Sequence, residues 1–460
     1  MKRILSLSLA AVLLLAGCAG GSQSPNGGGE PVHDGKEPMK MSYTLAEPVY
    51  PEFPQQPQFS EDGDYDAYSE AYDKYMDALI ALRGEGNHVT EAEHAALTAF
   101  TAKSTPLVLA GQEGKNAIYS PLSLWSALAM LAPCANGDSR LQVMTALNTE
   151  NLDSLEEMAS HIWQTLYTDD GMSALILSNS IWLNSNLQGT YVQDTLDTLA
   201  QKYYAGTYAV PMGSGEADQA VTEWVGEQTR GLIGGEQPVV ETKPETLALL
   251  VSSLYYRAAW QDEFMPERTE TDTFTGADGQ ESRVDFMHRT EDANFIRRDG
   301  YQAARLQTHL GEMVFVLPDQ GVAPESLLQN QEFLSRLEFY GDACTWGEVQ
   351  WSVPKFDVNS DLDLMEALKA MGVTDLPNFD RADLTGLTDL DAFLSQAKQL
   401  ARVKVDEEGV EAAAVTMMMC GTVMPPEDPE ICVMDLDRPF LFLIRTQDVP
   451  LFIGIVNQVS

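Results

Sequence analysis

A chain of 460 residues with 44% hydrophobic and 21% charged residues can build a sizeable core, and its length alone allows two or three domains. Acidic residues outnumber basic ones 69 to 28, a formal net charge of −41, which excludes the phosphate-neutralising surface that a nucleic-acid partner rewards. The same balance favours solubility and is repelled by anionic membrane surfaces.

The N-terminus reads as an export signal. Lys2 and Arg3 precede an apolar stretch from Ile4 to Leu15, interrupted only by Ser6 and Ser8 and too short to span a membrane. It ends in Leu15-Ala16-Gly17-Cys18, which resembles the bacterial lipobox. In such signals the Cys thiol is lipidated and cleavage leaves it as the new N-terminus; the alternative is an ordinary signal with an incidental Cys. Residues 1–17 are therefore expected to be a lipoprotein signal peptide, with a lipid on Cys18 anchoring the protein outside the cytoplasm on a bacterial cell envelope. No later run is long, apolar and uncharged, so this lipid is expected to be the sole membrane attachment.

Cys134, Cys344, Cys420 and Cys432 follow, without the close pairs of a zinc site. Four cysteines allow three pairings, and no disulfide is predicted; neither a metal nor a cofactor is expected.

Residues 18–64 read as an acidic tether. Gly20-Gly21-Ser22 and Gly27-Gly28-Gly29 are flexible, and Pro48, Pro51, Pro54 and Pro57 stiffen the later part. The glycine run lacks the Lys-Ser/Thr ending of a phosphate loop, so nucleotide binding is rejected. Within residues 65–90, Tyr65, Tyr68, Tyr72, Tyr75, Leu79 and Leu82 form one stripe at helical spacing, ended by Gly84 and Gly86. That short amphipathic helix is expected to lie on its own domain, the usual fate of a single apolar stripe.

From 91 to 460 the chain mixes helical and strand signals with no linker and no repeat. Helical spacing is plain at Leu122–Leu131 and Leu362–Met371; strand-like runs lie at Leu247–Tyr256, Met313–Leu317, Phe440–Ile444 and Leu451–Val456. The last two, separated by a short polar turn, predict a hairpin buried on both faces. One large α+β domain is the economical reading.

Several segments then match one family in order. Asn116-Ala117-Ile118-Tyr119-Ser120-Pro121-Leu122-Ser123 opens a helix as serpins do, and Trp224 to Gly231 is similar to their WVxxxTxGxI helix. Tyr255 to Trp260 with Phe264 resembles the strand carrying their buried Trp, and Val353-Pro354-Lys355-Phe356 their LPKF strand. Glu407-Glu408-Gly409-Val410-Glu411-Ala412-Ala413-Ala414 resembles their reactive-loop hinge. Arg438-Pro439-Phe440 with Phe452-Ile453-Gly454 matches their C-terminal hairpin. The hinge and the Pro-Phe signature are the specific matches.

The resemblance implies a serpin fold of three β-sheets and eight or nine helices, with an exposed C-terminal reactive loop at about 407–430. It also implies a suicide-type inhibitor of serine proteases and not an enzyme. The protease cleaves the loop and forms an acyl-enzyme, and the loop inserts as a new central strand that deforms the protease before release. An extracellular serine protease would be the partner, and the inhibitor is expected to be a monomer.

Alternation supports insertion. Val410, Ala412, Ala414, Thr416, Met418 and Cys420 share one face of an extended strand, all small or apolar. The one charge, Glu411, falls on the other face with Ala413, Val415, Met417 and Met419, and no proline occurs from Val410 to Met424. A permanently buried strand is the rival reading of the same alternation. The family's spacing from the first hinge Glu, applied to Glu407, puts the cleaved bond at Val423-Met424, with Thr422-Val423 next; a small aliphatic residue there suits an elastase-like pocket.

Besides Cys134, which sits where a Gly is common, two positions depart from the family. Ser252 stands where an Asn is usual and Gln399 where a His is usual, the pair that normally bonds across the region opening for insertion, the shutter. Ser120 and Ser123 belong to the same region as polar groups opening a helix. The main rival is a non-inhibitory serpin acting as a surface binding or scaffold protein. A hydrolase is a distant second: His33, His88, His94, His161, His288 and His309 are scattered, with no HExxH and no GxSxG, and nothing beside Cys420 would activate its thiol.

Overall fold

Local sequence rules set the element boundaries in the computed structural model, which describes residues 7–16, 43–51, 54, 57, 65–83, 88–170, 173–235, 237–330, 332–410 and 430–459. Strands β1 (Leu7–Ala16) and β2 (Thr44–Ala46) come first, then helix α1 (Tyr65–Arg83), where the tyrosine spacing places it. Thr90 opens α2 (Glu91–Val108). Its hydroxyl accepts from the Glu93 amide while the Glu93 carboxylate accepts from the Thr90 amide, so two donors without helical partners are satisfied. β3 (Ala117–Tyr119) leads into α3 (Pro121–Cys134), with Ser120 as cap and Pro121 in the first turn. Every residue of α3 except Ser126 is buried, so this helix runs through the core.

The next elements are α4 (Gly137–Ala146), α5 (Leu152–Leu166), β4 (Thr168–Asp169), β5 (Ala174–Asn184), α6 (Gln193–Lys202), β6 (Ala205–Val210) and α7 (Gly215–Gln228). Strands then dominate: β7 (Thr246–Ala259), β8 (Thr269–Thr275), β9 (Glu281–Arg298), β10 (Tyr301–Thr308) and β11 (Gly311–Pro318). After α8 (Pro324–Leu328) come β12 (Thr345–Pro354), β13 (Phe356–Asp363), α9 (Met365–Ala370), β14 (Ala392–Val405) and β15 (Gly409–Val410). β16 (Glu430–Asp435), β17 (Phe440–Thr446) and β18 (Val449–Val456) complete the described chain.

The helix expected over Leu362–Met371 starts only at Met365. Phe356, Val358 and Leu362 are buried at strand spacing, and β13 holds Leu362 opposite Gln399 before the chain turns. The expected hairpin is β17–β18. Thr446 faces Val449 across Gln447 and Asp448, both at positive φ (49° and 60°), the two-residue turn whose twist matches its strands.

The large sheet contains β6, β5, β7, β14 and β13, with β2 added at the β6 edge and β1 and β15 between β7 and β14. β7 lies between α3 on one face and α7 on the other, which is why nearly its whole length is buried. Outside the large sheet, which also holds the short β4, hydrogen bonds join the strands into one further sheet of nine where the resemblance implied two, continuous through the long β9. Its first part pairs with β8, its middle with β12 and its end with β10, linking β8, β12 and β16 to β10, β11, β17, β18 and β3. Nine α-helices among the described residues and these mixed sheets agree with the α+β fold the resemblance implied.

The folded body reaches further toward the N-terminus than the glycine- and proline-rich composition indicated. β2 pairs with β6, the Val49 amide donates to the Ala200 carbonyl at 3.1 Å, and the Tyr50 ring stacks on Trp163 at 5.3 Å. α1 packs beside α5 with Leu79 buried, Tyr68, Tyr75 and Leu82 half-buried and Tyr72 exposed, so the C-terminal part of the stripe meets its own chain most closely.

Candidate functional site

β7 and β14 flank the place where a reactive-loop strand would enter. At the upper end the hinge is already inside the sheet. Val410 pairs antiparallel with Val405 on one side and Ala258 on the other, and Gly409 with Ala259. Val410 is 1% exposed, so the loop expected to be exposed from 407 onward is anchored at its root. Only glycine fits at 409: a Cβ there would lie 2.5 Å from the Ala258 carbonyl oxygen and 2.7 Å from the Ala259 Cα.

The residues before Gly409 are held by main-chain and side-chain bonds. Trp260 and Phe264 amides donate to the Glu408 and Glu407 carbonyls, each at 3.0 Å, and the Trp260 indole N–H donates to the Asp406 carbonyl at 3.0 Å. Glu407 reaches Lys355 Nζ at 2.7 Å and accepts from the Thr269 hydroxyl at 2.9 Å. Burial pushes the Glu407 carboxyl upward, but the Lys355 ammonium and the hydrogen bonds outweigh it and hold the group below the usual range. Glu408 is raised instead, by burial and then by Asp406, Glu263 and Glu407. Lys355 sits in the Val353–Phe356 motif, yet no spacing in the sequence points from it to Glu407. Thr269 carries no signal at all.

Lower down, Gln399 is fully buried on β14. Its amide oxygen accepts from the Ser120 N–H at 2.8 Å and its amide nitrogen donates to the Ser120 carbonyl at 3.0 Å. Ser120 in turn caps α3 through Ser123, whose amide donates to the Ser120 hydroxyl at 3.3 Å. Gln399 therefore locks the sheet to the helix beneath it. It is not joined to Ser252: the two stand level on opposite sides of the gap, each paired with Leu13 of β1.

A reactive-loop sheet was expected to lack its central strand. Here β1 fills that position, parallel to both β7 and β14. Glu411, Ala412, Ala413 and Ala414, the bond Val423-Met424, Cys420 and the lipidation position Cys18 lie outside the described residues. Cys134, Cys344 and Cys432 are free thiols, and burial pushes Cys134 up to about 12 and Cys432 to about 11, leaving both in the inert protonated form at neutral pH.

These features define an α+β domain whose large sheet admits a strand between β7 and β14 and whose hinge feeds that gap. A sequence model described as Serpin (serine protease inhibitor) matches residues 95–459. Serpin-Z2B of Triticum aestivum is 30% identical over 367 residues, covering 74% of this chain and 90% of that protein. The thermophilic serpin tengpin in its native state superposes with a TM-score of 0.71 at 24% identity, covering 81% of this chain and 95% of that one. Human thyroxine-binding globulin, solved in complex with its thyroxine ligand, superposes at 0.67 and 23% identity over 80% of this chain and 99% of that one. The chain belongs to the serpin family, whose members generally inhibit proteases, although some do not.

Proposed function

We propose that this serpin inhibits an extracellular serine protease of elastase-like preference, by loop cleavage, acyl-enzyme trapping and loop insertion. One observation carries the reading: the last hinge residues, Gly409 and Val410, are already paired within the large sheet, Val410 with both β14 and β7, at the mouth of the gap. That chain is proline-free to Met424 and uncharged on one face, as a central strand requires. The spacing from Glu407 supports Val423-Met424 as the cleaved bond, and a small aliphatic residue there supports the elastase-like preference. The role is inhibition of an enzyme, with no catalytic residue of its own. A lipid on Cys18 would hold the inhibitor at the cell envelope; Cys18→Ala should release it, and unchanged retention in membranes would remove that part of the reading.

The test is incubation with elastase-like and trypsin-like proteases followed by denaturing electrophoresis. An SDS-stable complex with the elastase-like enzyme is expected. Ala412→Arg and Ala414→Pro should each convert the inhibitor into a substrate, because one buries a charge and the other removes a ladder amide. A second reading, a serpin that binds a partner without inhibiting, is favoured by β1 standing in the gap. Cleavage without complex formation would select it.

A further inference from the structure

β1 occupies the position that an inserting loop needs, with chain from the opposite end of the sequence. Leu7–Leu14 pair with Ala392–Leu400 of β14, and Ser8–Ala16 with Thr246–Tyr255 of β7, parallel on both sides. Val410 enters the same gap from above in the antiparallel sense, opposite Ala258. A strand continuing its ladder one residue per step would come level with Tyr255 after Arg257 and Tyr256, and Tyr255 is already paired with Ala16. One gap has two claimants, and they collide near Tyr255.

We propose that the gap between β7 and β14 is a strand-acceptor site whose occupant in the unprocessed chain is Leu7–Ala16, and that the inhibitor is armed only when this segment leaves. The arming step rests on the inhibitor reading above; the acceptor site does not.

Physical chemistry favours this occupant. A strand inside a sheet buried on both faces must supply every amide to its neighbours and bring no unpaired charge. Leu7–Ala16 has neither a proline nor a charge. The segment also has the reach to do this within one molecule. β1 is separated from β2 by β7, β5 and β6, on the order of 20 Å at about 5 Å per strand. Residues 17–43, extended at about 3.3 Å each, span roughly 90 Å. Tethering keeps the effective concentration of the segment near the millimolar range, on the order expected for flexible linkers.

Occupancy and processing are then coupled. The ten-residue stretch that suits the gap is the apolar core of the export signal. Hydrolysis of the Gly17–Cys18 amide, with water giving its hydroxyl to Gly17 and a hydrogen to the Cys18 amine, cuts the occupant from the chain. The effective concentration collapses, the gap empties, and the loop becomes the one strand still tethered to it. Anchoring at Cys18 and arming of the loop become one event.

The test keeps the full chain unprocessed with Cys18→Ala. Val12 and Lys398 stand directly opposite each other. Val12→Cys with Lys398→Cys should therefore form an intramolecular disulfide on mild oxidation, seen by peptide mapping. Free thiols, or a disulfide only in a dimer-sized band, would overturn occupancy by the chain's own segment. Each form is then mixed with the elastase-like protease. The oxidised, locked chain should be cleaved without trapping, and dithiothreitol should leave complex formation low. The unprocessed chain with Ala11→Pro and Leu13→Asp, which cannot hold β1 in the sheet, should trap about tenfold faster than its parent if the parent's gap is filled nine times in ten. Equal trapping by the locked and the substituted chains would overturn arming. A disulfide that forms while neither chain ever traps leaves the acceptor site standing and removes the inhibitor reading instead.

Discussion

Gln399 holds Ser120 by both ends of its amide, at 2.8 and 3.0 Å, and so fastens β14 to the start of the helix under the sheet. Its side chain matches a backbone N–H and C=O at once, accepting from one and donating to the other.

Gln399→Ala is expected to leave the Ser120 amide buried without an acceptor; its carbonyl keeps the Leu124 amide at 3.3 Å. The cost is about 1–3 kcal/mol, read as a melting point several degrees lower. Gln399→Glu should cost more, since it keeps an acceptor but buries a charge. Thermal unfolding of the two variants checks the order; a Glu variant as stable as wild type would contradict it.

The Glu407–Lys355 pair at 2.7 Å makes the hinge sensitive to acid. The folded carboxyl is depressed, so its contribution is complete above the ordinary value of 4.5 and is lost as pH falls through the depressed one. Glu408, raised chiefly by burial, works in the opposite sense and is relieved as pH falls. Glu407→Gln should therefore lower stability at pH 7 and match wild type more closely below pH 4.5. Melting curves between those values measure the gap; a gap that widened with acid would refute the assignment.

Gly409→Ala places a Cβ against main-chain atoms of Ala258 and Ala259 that cannot rotate away. Overpacking of this kind costs about 1–3 kcal/mol. The simplest relief is for Val410 to leave the sheet. The variant should then be cleaved faster in its loop and trap protease less efficiently, which the ratio of cleaved to complexed inhibitor on a denaturing gel reports.

Tyr50 stacks on Trp163 of α5 at 5.3 Å and on Tyr204, just before β6, at 6.2 Å, fixing the segment after β2 to the folded body. Tyr50→Ala should cost about 1–2 kcal/mol through lost stacking and apolar contact. Limited proteolysis should cut first between residues 43 and 64 while leaving the β17–β18 hairpin intact; an unchanged cleavage pattern would show that the strap is held by its backbone bonds alone.

Much of this protein is legible in its sequence. Period-2 and period-3.6 patterns are local, so β7, β11, β17, β18, α1 and α3 could be read from runs of a dozen residues. The hinge, too, is a contiguous motif. At Leu362 the two periods compete, and only the partner strand at Gln399 decided for β13. Tertiary structure alone decided what the functional residues touch. Gln399 finds Ser120 across 279 positions of sequence, and Glu407 finds Lys355 because β13 and β14 return side by side. The N-terminal apolar run is the sharpest case. Its composition suits a bilayer and a buried strand equally, because both demand uncharged side chains and amides satisfied away from water. Which of the two receives it depends on whether a gap of the right width stands open elsewhere in the fold, and that is a property of β7 and β14 together.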